Sequence, residues 1–278
     1  MGKFTNETEL TLNNNSFADL TFKQFHGLQV KKIHVNAFGE SSNSITFFTC
    51  LKCEIQNHQP DYNIWATLSR LTQINQLIIG LNVSEIPSNA FRSVDGLEPL
   101  NLGKITFQIL KNVTIYSGAF KNLGKLKQII FYRTNISIFK KESLGFNTKS
   151  TQNLVIQFAY CNFSDDPFES DAFNRLQRSV QIIFWRSNIN YLSESAFKSI
   201  LNNSSNEILF YNPYILDKVY SRIDCQNCKN LWLLKEGTEN QVKHAHCKQN
   251  PEKRLFDFEI KNELISKCKS KYQLIALY

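Results

Sequence analysis

One eleven-residue motif recurs along most of the chain, and this recurrence constrains the fold more than any other feature of the sequence. The clearest copy runs from Leu126 to Ile136, and looser copies run over 153–163 and 179–189. Each copy is followed by a segment that resembles Ala-Phe-x-x-Leu. Phenylalanine occupies one equivalent position of the motif at intervals of 24 to 27 residues, at Phe107, Phe131, Phe158, Phe184 and Phe210. The chain is therefore a repeat array.

The motif has the pattern of a short strand that pairs with the equivalent strand of the next repeat. Alternate residues such as Ile129 and Phe131 point to one side of the strand, and Ile130 and Tyr132 point to the other. One repeat cannot bury this apolar row alone. Stacked repeats, with strands roughly 4.8 Å apart, bury it in a continuous core.

The period predicts the fold class. Apolar positions spaced in this way, with a period of roughly 20 to 29 residues, are the signature of a leucine-rich repeat. We therefore expect an α/β leucine-rich repeat solenoid with a curved parallel sheet on its concave face and an irregular or short helical convex side. About eight repeats occupy 1–216. The spacing is irregular at 29–63, which is either one long repeat or a full repeat followed by a stunted one.

Small polar side chains, or cysteine, fall where the chain leaves each expected strand. Thr134, Cys161 and Ser187 occupy this place. A turn there uncovers backbone N–H and C=O groups that must find hydrogen-bond partners. We expect these side chains to supply the partners, which makes Cys161 a buried structural thiol. Cys50 is expected to do the same beside the strand pattern at 45–48.

Composition and motifs exclude several function classes. Glycine is scarce, at 10 of 278 residues, and neither a G-x-G-x-x-G nor a P-loop motif occurs. The chain has a net charge of +8, and near the C-terminus its basic residues are interspersed with acidic ones, as on a solvated surface. Nucleic acid is therefore not an expected partner. No apolar run approaches the roughly 20 residues that span a bilayer.

Four cysteines near the C-terminus form the most specific local motif. They are Cys225, Cys228, Cys247 and Cys268. An apolar run at 231–234 follows the first pair. Four cysteines allow three pairings, and the sequence alone does not choose among them. A zinc site is the rival interpretation, because His244 and His246 stand beside the third cysteine and zinc binds thiolates and imidazoles. That interpretation leaves Cys268 without a role.

This constellation resembles the C-terminal flanking cap of extracellular leucine-rich repeat proteins, which covers the open end of the last repeat. The resemblance implies that Cys225 pairs with Cys247 and that Cys228 pairs with Cys268. It also implies a small disulfide-bonded C-terminal cap over 217–271, with 272–278 as a tail. The opening Cys-x-x-Cys spacing is one residue longer than the family's usual Cys-x-Cys.

The repeats and the cysteine cap together cover nearly the whole chain and resemble the extracellular leucine-rich repeat family. The Phe-rich, Leu-poor repeats are similar to those of arthropod secreted proteins named after the non-catalytic subunit of oplophorus-luciferin 2-monooxygenase. Members of that group have no catalytic role of their own. The resemblance therefore implies binding or scaffolding rather than a reaction.

The cysteines and the glycosylation motifs predict the compartment. A disulfide-bonded cap implies an oxidising environment. The Asn-x-Ser/Thr acceptors are Asn6, Asn14, Asn82, Asn112, Asn135, Asn162, Asn202 and Asn203. No signal peptide opens the chain, and no capping segment precedes the first repeat. We expect an extracellular protein, secreted or at the cell surface, whose N-terminal signal peptide is missing from this sequence.

The outward residues of the strands are expected to form one continuous concave surface, the usual binding surface of repeat proteins. In the later repeats this surface carries the residue types most enriched at interface hot spots. The candidate binding residues are Tyr132, Arg133, Tyr160, Trp185, Arg186 and Tyr211. Ile130, Ile183 and Leu209 are expected to form an exposed apolar column beside them. The alternative is that aromatic residues simply favour strands and arginine lines any solvated sheet.

These observations predict a non-enzymatic extracellular module that binds a protein or glycan partner on its concave face. The sequence shows no nucleophile with its base, no paired carboxylates and no cofactor cradle. We therefore expect no catalytic residue, no cofactor and no metal site. The alternative function is an intracellular leucine-rich repeat adaptor with a zinc-bound or reduced cysteine cap.

Overall fold

The computed structural model describes residues 10–12, 24–25, 30–53, 63–81, 84–92, 100–146, 150–211, 213, 220–235 and 238–273. The strands are β1 (Leu10–Leu12), β2 (Gln24–Phe25), β3 (Val30–Ile33), β4 (Phe47–Cys53), β5 (Gln76–Leu81), β6 (Glu85–Ile86), β7 (Lys104–Gln108), β8 (Val113–Ile115), β9 (Gln128–Tyr132), β10 (Asn135–Phe139), β11 (Leu154–Ala159), β12 (Asn162–Phe163), β13 (Val180–Trp185), β14 (Asn188–Ile189), β15 (Glu207–Leu209), β16 (Arg222–Ile223), β17 (Val242–Lys243) and β18 (His246–Cys247). The helices are α1 (Ile64–Leu68), α2 (Glu194–Leu201), α3 (Leu231–Lys235) and α4 (Phe258–Gln273), with short 3-10 helices at Gly39–Asn43, Cys228–Asn230 and Thr238–Asn240.

In the described part of the chain, the strands form two large parallel sheets and one separate pair. A nine-stranded sheet has the order β2-β4-β5-β7-β9-β11-β13-β15-β17. A seven-stranded sheet has the order β6-β8-β10-β12-β14-β16-β18, and β1 pairs with β3. From β5 onward the chain contributes one strand to each large sheet in turn, so each repeat spans both sheets.

The hydrophobic core joins the two large sheets. In β9, Ile129 and Phe131 are fully buried, while the neighbouring residues on the strand are half-buried. This is the alternation that the sequence predicts for a strand with one face in the core. β10 contributes Ile136 and Phe139, and the ring centroids of Phe131 and Phe139 are 5.5 Å apart.

The recurrent phenylalanines form one column through the array, as their spacing predicts. Phe107, Phe131, Phe158 and Phe184 are paired in register across four adjacent strands and have no exposed surface. Successive ring centroids are 5.2 to 5.3 Å apart, and the column continues to Phe210. Aromatic pairs at this distance stabilise a core beyond their buried area alone. The column therefore ties each repeat to the next.

A hydrogen-bonded ladder runs along the turns that join the two sheets. The backbone N–H of Cys161 donates to Oγ of Ser187, and the backbone N–H of Ser187 donates to Oγ of Ser221, each at 2.9 Å. In return, Sγ of Cys161 donates to the carbonyl oxygen of Phe131, one repeat earlier, at 3.2 Å. Cys161, Ser187 and Thr134 are buried, as predicted for partners of turn backbone. Ser221 extends the ladder beyond the sequence prediction.

The second large sheet is the main departure from the expected fold. The sequence predicted irregular or short helical stretches opposite the first sheet, and the structure has parallel strands there. Three of them begin just after the ladder at Asn135, Asn162 and Asn188, and they contain only two to five residues. Strands this short carry little periodic signal. Among the described residues, no helix is both long and apolar enough to cross a membrane.

The irregular segment at 29–63 contains two strands that belong to different sheets. β3 pairs with β1, whereas β4 joins the nine-stranded sheet between β2 and β5. The two strand patterns are close together because they serve two sheets rather than two full repeats. The expectation for Cys50 as a ladder thiol is wrong, because its sulfur is in a disulfide. The side chains of Leu10 and Leu12 in β1 lie outside the described residues.

Two disulfides hold the C-terminal region together. Cys225 is bonded to Cys247 with 5.2 Å between Cα atoms, and Cys228 is bonded to Cys268 with 5.6 Å. This is the pairing that the resemblance implied. The first bridge joins the end of the β16 segment to β18, and the second fixes α4 against the same region.

Two buried side chains dock the disulfide-bonded region on the repeat before it. The side chain of Asn230 accepts a hydrogen bond from the N–H of Leu192 at 3.0 Å. It donates to the carbonyl oxygens of Asn190 at 3.3 Å and Asp224 at 2.9 Å. The indole N–H of Trp232 donates to the carbonyl oxygen of Leu192 at 2.8 Å. The apolar run after the cysteine pair therefore closes the core instead of facing solvent.

Candidate functional site

Five of the six candidate binding residues form one cluster at the carboxyl ends of three central strands of the nine-stranded sheet, β9, β11 and β13. We call Tyr132, Arg133, Tyr160, Trp185 and Arg186 the aromatic-arginine belt. The ring of Tyr160 meets those of Tyr132 and Trp185 edge to face, with centroids 5.6 and 5.0 Å apart. The guanidinium of Arg133 lies 5.4 Å from the Tyr132 centroid, and that of Arg186 lies 5.8 Å from the Trp185 centroid. The rings are half-buried and both arginines are exposed.

The strand register explains how Tyr160 fits between two larger neighbours. Ala159 is paired in register with Tyr132 on one side and with Trp185 on the other. An alanine between two large outward side chains leaves a gap. Tyr160 follows Ala159 in a left-handed backbone conformation with φ of 56°, and its ring contacts both neighbours. Its backbone N–H still donates to the carbonyl oxygen of Trp185 at 2.9 Å.

The same left-handed turn follows other strands of the nine-stranded sheet. The φ angle is 60° at Ile109 and 50° at both Arg133 and Arg186. A residue with a side chain pays about 1 to 2 kcal/mol for this conformation. A hydrogen bond to the next strand offsets part of the cost, because the N–H of Arg133 donates to the carbonyl oxygen of Ala159 at 2.8 Å. The turn directs successive side chains along one edge of the sheet.

The outward column beside the belt is more closely packed than the sequence suggested. Ile183 and Leu209 are 0% and 2% exposed, so the expectation that they are exposed is wrong, and Ile130 is half-buried. Gln157 is paired in register with Ile130 and Ile183 and is only 8% exposed. Its side-chain amide has no hydrogen-bond partner among the described residues.

A second polar group beside Gln157 also lacks a partner. The indole N–H of Trp185 is buried and makes no hydrogen bond. Polar groups in such surroundings cost free energy unless they are hydrogen-bonded. Near the belt, the indole N–H is therefore an unsatisfied buried donor, and the amide of Gln157 also has no partner among the described residues.

Tyr211, the sixth candidate, belongs to a separate cluster at the last strands. Its ring centroid lies 4.6 Å from that of His244. The ring of Tyr220 stacks on His244 at 5.5 Å and on His246 at 4.3 Å. Burial, followed by His246 and nearby basic side chains, lowers the pKa of His244. Tyr211 and the close histidine pair were the signs of this cluster in the sequence, and Tyr220 was missed because it lies far from His244 along the chain.

The described glycosylation acceptors are all on the surface. Asn112, Asn135, Asn162, Asn202 and Asn203 are exposed. Asn6, Asn14 and Asn82 lie outside the described residues. Asn135 and Asn162 are paired in register at the starts of β10 and β12. Asn112 directly precedes Val113, which is paired with the residue after Asn135. Three acceptors therefore line one column at the edge of the seven-stranded sheet.

The cysteines of the C-terminal motif are disulfide-bonded, and Cys161 is a buried free thiol. All four cysteines of the C-terminal motif are in disulfides, which leaves no thiolate there to bind zinc. Burial raises the pKa of the free thiol of Cys161 to about 12, and hydrogen bonds from its surroundings only partly oppose this shift. A thiol with so high a pKa is a poor nucleophile. In the same residues, no group of three or more His, Cys, Asp or Glu side chains is placed to hold a metal ion.

Comparison with known proteins does not identify a family. A scan against protein-family models and a search of curated proteins each found no match to this chain. The belt, the disulfides and the exposed glycosylation acceptors are therefore the features from which a function can be inferred.

Proposed function

We propose that this chain is a leucine-rich repeat solenoid that acts outside the cell as a non-enzymatic binding or scaffolding module. The nine-stranded sheet is its concave face, and a protein or glycan partner binds there. The repeat period and the alternation of strands between two parallel sheets support the solenoid. The resemblance to extracellular leucine-rich repeat proteins, including the arthropod group named above, agrees with this role.

The aromatic-arginine belt is the observation that carries the proposal. Tyrosine, tryptophan and arginine dominate the binding energy of protein interfaces because they combine large apolar area with polar tips. Here three half-buried rings contact one another, and two exposed guanidinium groups lie over them. Such mutual contacts hold the side chains in place before binding, which lowers the entropy lost when a partner binds. The belt is thus equipped for recognition, and none of its members forms a nucleophile-base pair.

The disulfides and the surface acceptors support an extracellular site of action. Disulfides persist in oxidising compartments and are rare in the cytosol, and this chain has two of them in its C-terminal region. The competing interpretation, an intracellular adaptor, needs these same cysteines reduced or bound to zinc. The exposed Asn-x-Ser/Thr acceptors are positioned to carry glycans in the secretory pathway.

The test is secretion followed by a binding screen. The chain is expressed behind a heterologous signal peptide, and the product is screened against arrays of extracellular proteins and of glycans. Trp185→Ala removes the largest ring of the belt. Tyr116→Ala is the matched control, because Tyr116 is an exposed aromatic residue outside the belt. Thermal unfolding of each variant checks that both remain folded.

We expect a ligand on one of the arrays whose affinity falls at least about tenfold in Trp185→Ala, as for the loss of an interface hot spot. The Tyr116→Ala protein should bind it like the wild type. A ligand that both variants bind equally well would move the site away from the belt. Failure to secrete a disulfide-bonded product, with free thiols at the four C-terminal cysteines, would favour the intracellular adaptor.

A further inference from the structure

A cavity of about 300 Å³ lies between two consecutive repeats, beside α2. One wall is formed by the segment 173–177, in the connection that leads from β12 to β13, and the other by α2 and the residues that follow it. The lining includes the buried side chains of Phe173 and Ile200 and the half-buried side chain of Leu176. Ligand sites combine such apolar surface with a few polar groups at fixed places.

Exposed polar side chains also line the cavity. Gln177 is on the first wall and Ser199 is on α2. Among the described residues, neither side chain makes a hydrogen bond. An amide has N–H donors and a carbonyl acceptor, and a hydroxyl both donates and accepts, so the two walls can bond to sugar hydroxyls. The charged residue of the lining, Arg175, is paired with Glu142 at 3.5 Å, so the cavity suits a neutral ligand.

A glycosylation acceptor, Asn203, is itself part of the lining. Its side-chain oxygen accepts hydrogen bonds from the backbone N–H of Ser205 at 3.0 Å and from the hydroxyl of Ser205 at 2.6 Å. Its Nδ2 has no partner within the described part of the chain. An N-linked sugar is attached at this nitrogen, so the oxygen keeps both bonds after glycosylation. The neighbouring acceptor, Asn202, is the C-cap of α2 and does not line the cavity.

We propose that Asn203 carries an N-linked glycan and that the first sugar of this glycan, an N-acetylhexosamine, occupies the cavity. The donor is an oligosaccharide on a lipid pyrophosphate, as the secretory pathway supplies. Nδ2 of Asn203 forms a bond to C1 of the sugar and releases one proton. The bond from C1 to oxygen breaks, and the lipid pyrophosphate leaves with its electron pair. The inference rests on the proposed extracellular site of action, because a chain meets this donor on its way to secretion.

Attachment at the wall of the cavity favours this occupant over a free small molecule. A free ligand loses translational and rotational freedom when it binds. A sugar that is already bonded to Asn203 has lost most of that freedom, and its effective concentration at the cavity is on the order of millimolar. Packing on Leu176 and hydrogen bonds to Gln177 and Ser199 are then enough to hold it. The bound sugar links α2 to the repeat before it and stabilises both.

The experiment uses the full chain, secreted with oligomannose glycans and then trimmed by an endoglycosidase to one sugar per site. Glycopeptide mass spectrometry measures the occupancy of Asn203, and thermal unfolding gives the midpoint Tm. Ser205→Ala removes the acceptor motif of Asn203 and keeps that of Asn202. The same two proteins, made without glycans in a bacterial periplasm, measure the effect of the serine substitution alone. The difference between the two comparisons is the effect of the sugar.

We expect Asn203 to be occupied and its one sugar to raise Tm by roughly 2 to 4 °C, as a few new contacts do in a chain of about this size. Ser199→Trp places a large ring in the cavity and should abolish this rise. Ser195→Trp is the matched control and should keep it, because Ser195 is exposed on the same helix and does not line the cavity. Asn202→Gln keeps the motif of Asn203 and should change neither its occupancy nor the rise.

Two kinds of result would overturn the inference without touching the proposed function. An unmodified Asn203 in secreted protein that carries glycans elsewhere would refute the modification. An occupied Asn203 whose sugar leaves Tm unchanged, or raises it equally in Ser199→Trp, would refute the placement of the sugar in the cavity. In both cases a secreted, disulfide-bonded product still supports the extracellular module. Failure of secretion, with free thiols at the C-terminal cysteines, would instead overturn the proposed function and this inference with it.

Discussion

Asn162 donates a hydrogen bond from its side-chain amide to the side chain of Asn135, with 3.0 Å between Nδ2 and Oδ1. Both residues are glycosylation acceptors on adjacent strands. Because strands are roughly 4.8 Å apart and a glycan is bulky, sugars on both amides would compete for the same space. We expect Asn162→Gln to raise the glycan occupancy of Asn135 in secreted protein, measured by glycopeptide mass spectrometry. Asn203→Gln, on a distant surface, should leave it unchanged, and full occupancy of both sites in wild type would contradict the prediction.

The buried thiol of Cys161 predicts a loss of stability at alkaline pH. Its pKa is raised from an ordinary value of 9.0 to about 12 in the folded chain, chiefly by burial. Folding therefore favours the neutral thiol. Its contribution to the free energy of unfolding is fully present below about pH 9 and is lost as the pH rises toward 12. The unfolding free energy should fall by up to about 1.4 kcal/mol per pH unit in this window from this group alone.

The matched variant for this effect is Cys161→Ser, which keeps a small hydrogen-bonding side chain in the ladder and does not titrate there. Urea unfolding of both proteins at several pH values gives the difference in slope. A wild-type slope no steeper than that of Cys161→Ser would refute the burial of an ionisable thiol. Rapid alkylation of Cys161 in the folded protein at pH 8 would refute it as well.

The phenylalanine column predicts a large cost for removing one interior ring. Phe131 has no exposed surface and lies between Phe107 and Phe158, with centroids 5.2 and 5.3 Å away. We expect Phe131→Ala to lower the free energy of unfolding by about 3 to 5 kcal/mol. Phe258 is 80% exposed, and Phe258→Ala should change stability by no more than about 0.5 kcal/mol. Similar denaturation midpoints for the two variants would show that the column does not support the fold.

Asn230 predicts how the C-terminal region is held on the repeats. Its side chain bonds three backbone groups. Alanine there would leave the buried N–H of Leu192 without a partner and would remove one of the two hydrogen bonds that the carbonyl oxygens of Asn190 and Asp224 each accept. We expect Asn230→Ala to cost about 3 kcal/mol or more and to increase hydrogen exchange in β14 to β16. The control is Asn240→Ala, at an exposed asparagine. Unchanged exchange in β14 to β16 would mean that the disulfides alone hold the region in place.

The repeating part of the structure was predictable because its physics is periodic. The positions of Phe131 and Phe158 in one column, and of Cys161 and Ser187 in one ladder, follow from a fixed spacing along the chain. Each such residue contacts its equivalent in the next repeat, so a regular spacing along the sequence predicts a contact in the folded chain.

The features that the sequence did not reveal depend on contacts between residues that are not at equivalent positions of the repeats. Tyr160 reaches the belt because Ala159 is small and the backbone turns left-handed there, and no glycine signals that turn. Ile183 is buried on a face where its register alone predicted exposure. The second sheet was missed because strands such as Asn162–Phe163 are too short to show alternation.

The ladder of Cys161, Ser187 and Ser221 has a consequence for how such a chain changes in evolution. Cys161 and Ser187 each donate a backbone N–H to the turn side chain of the repeat after them, and Ser187 and Ser221 accept these bonds. Duplication or deletion of one complete unit keeps every donor matched to an acceptor. Insertion of a single residue within a strand or its turn shifts that turn out of line and leaves buried groups unpaired on both sides. Genes of this type should therefore change in length by whole repeats, or in the segments between one turn and the next strand, where the repeats already differ in length.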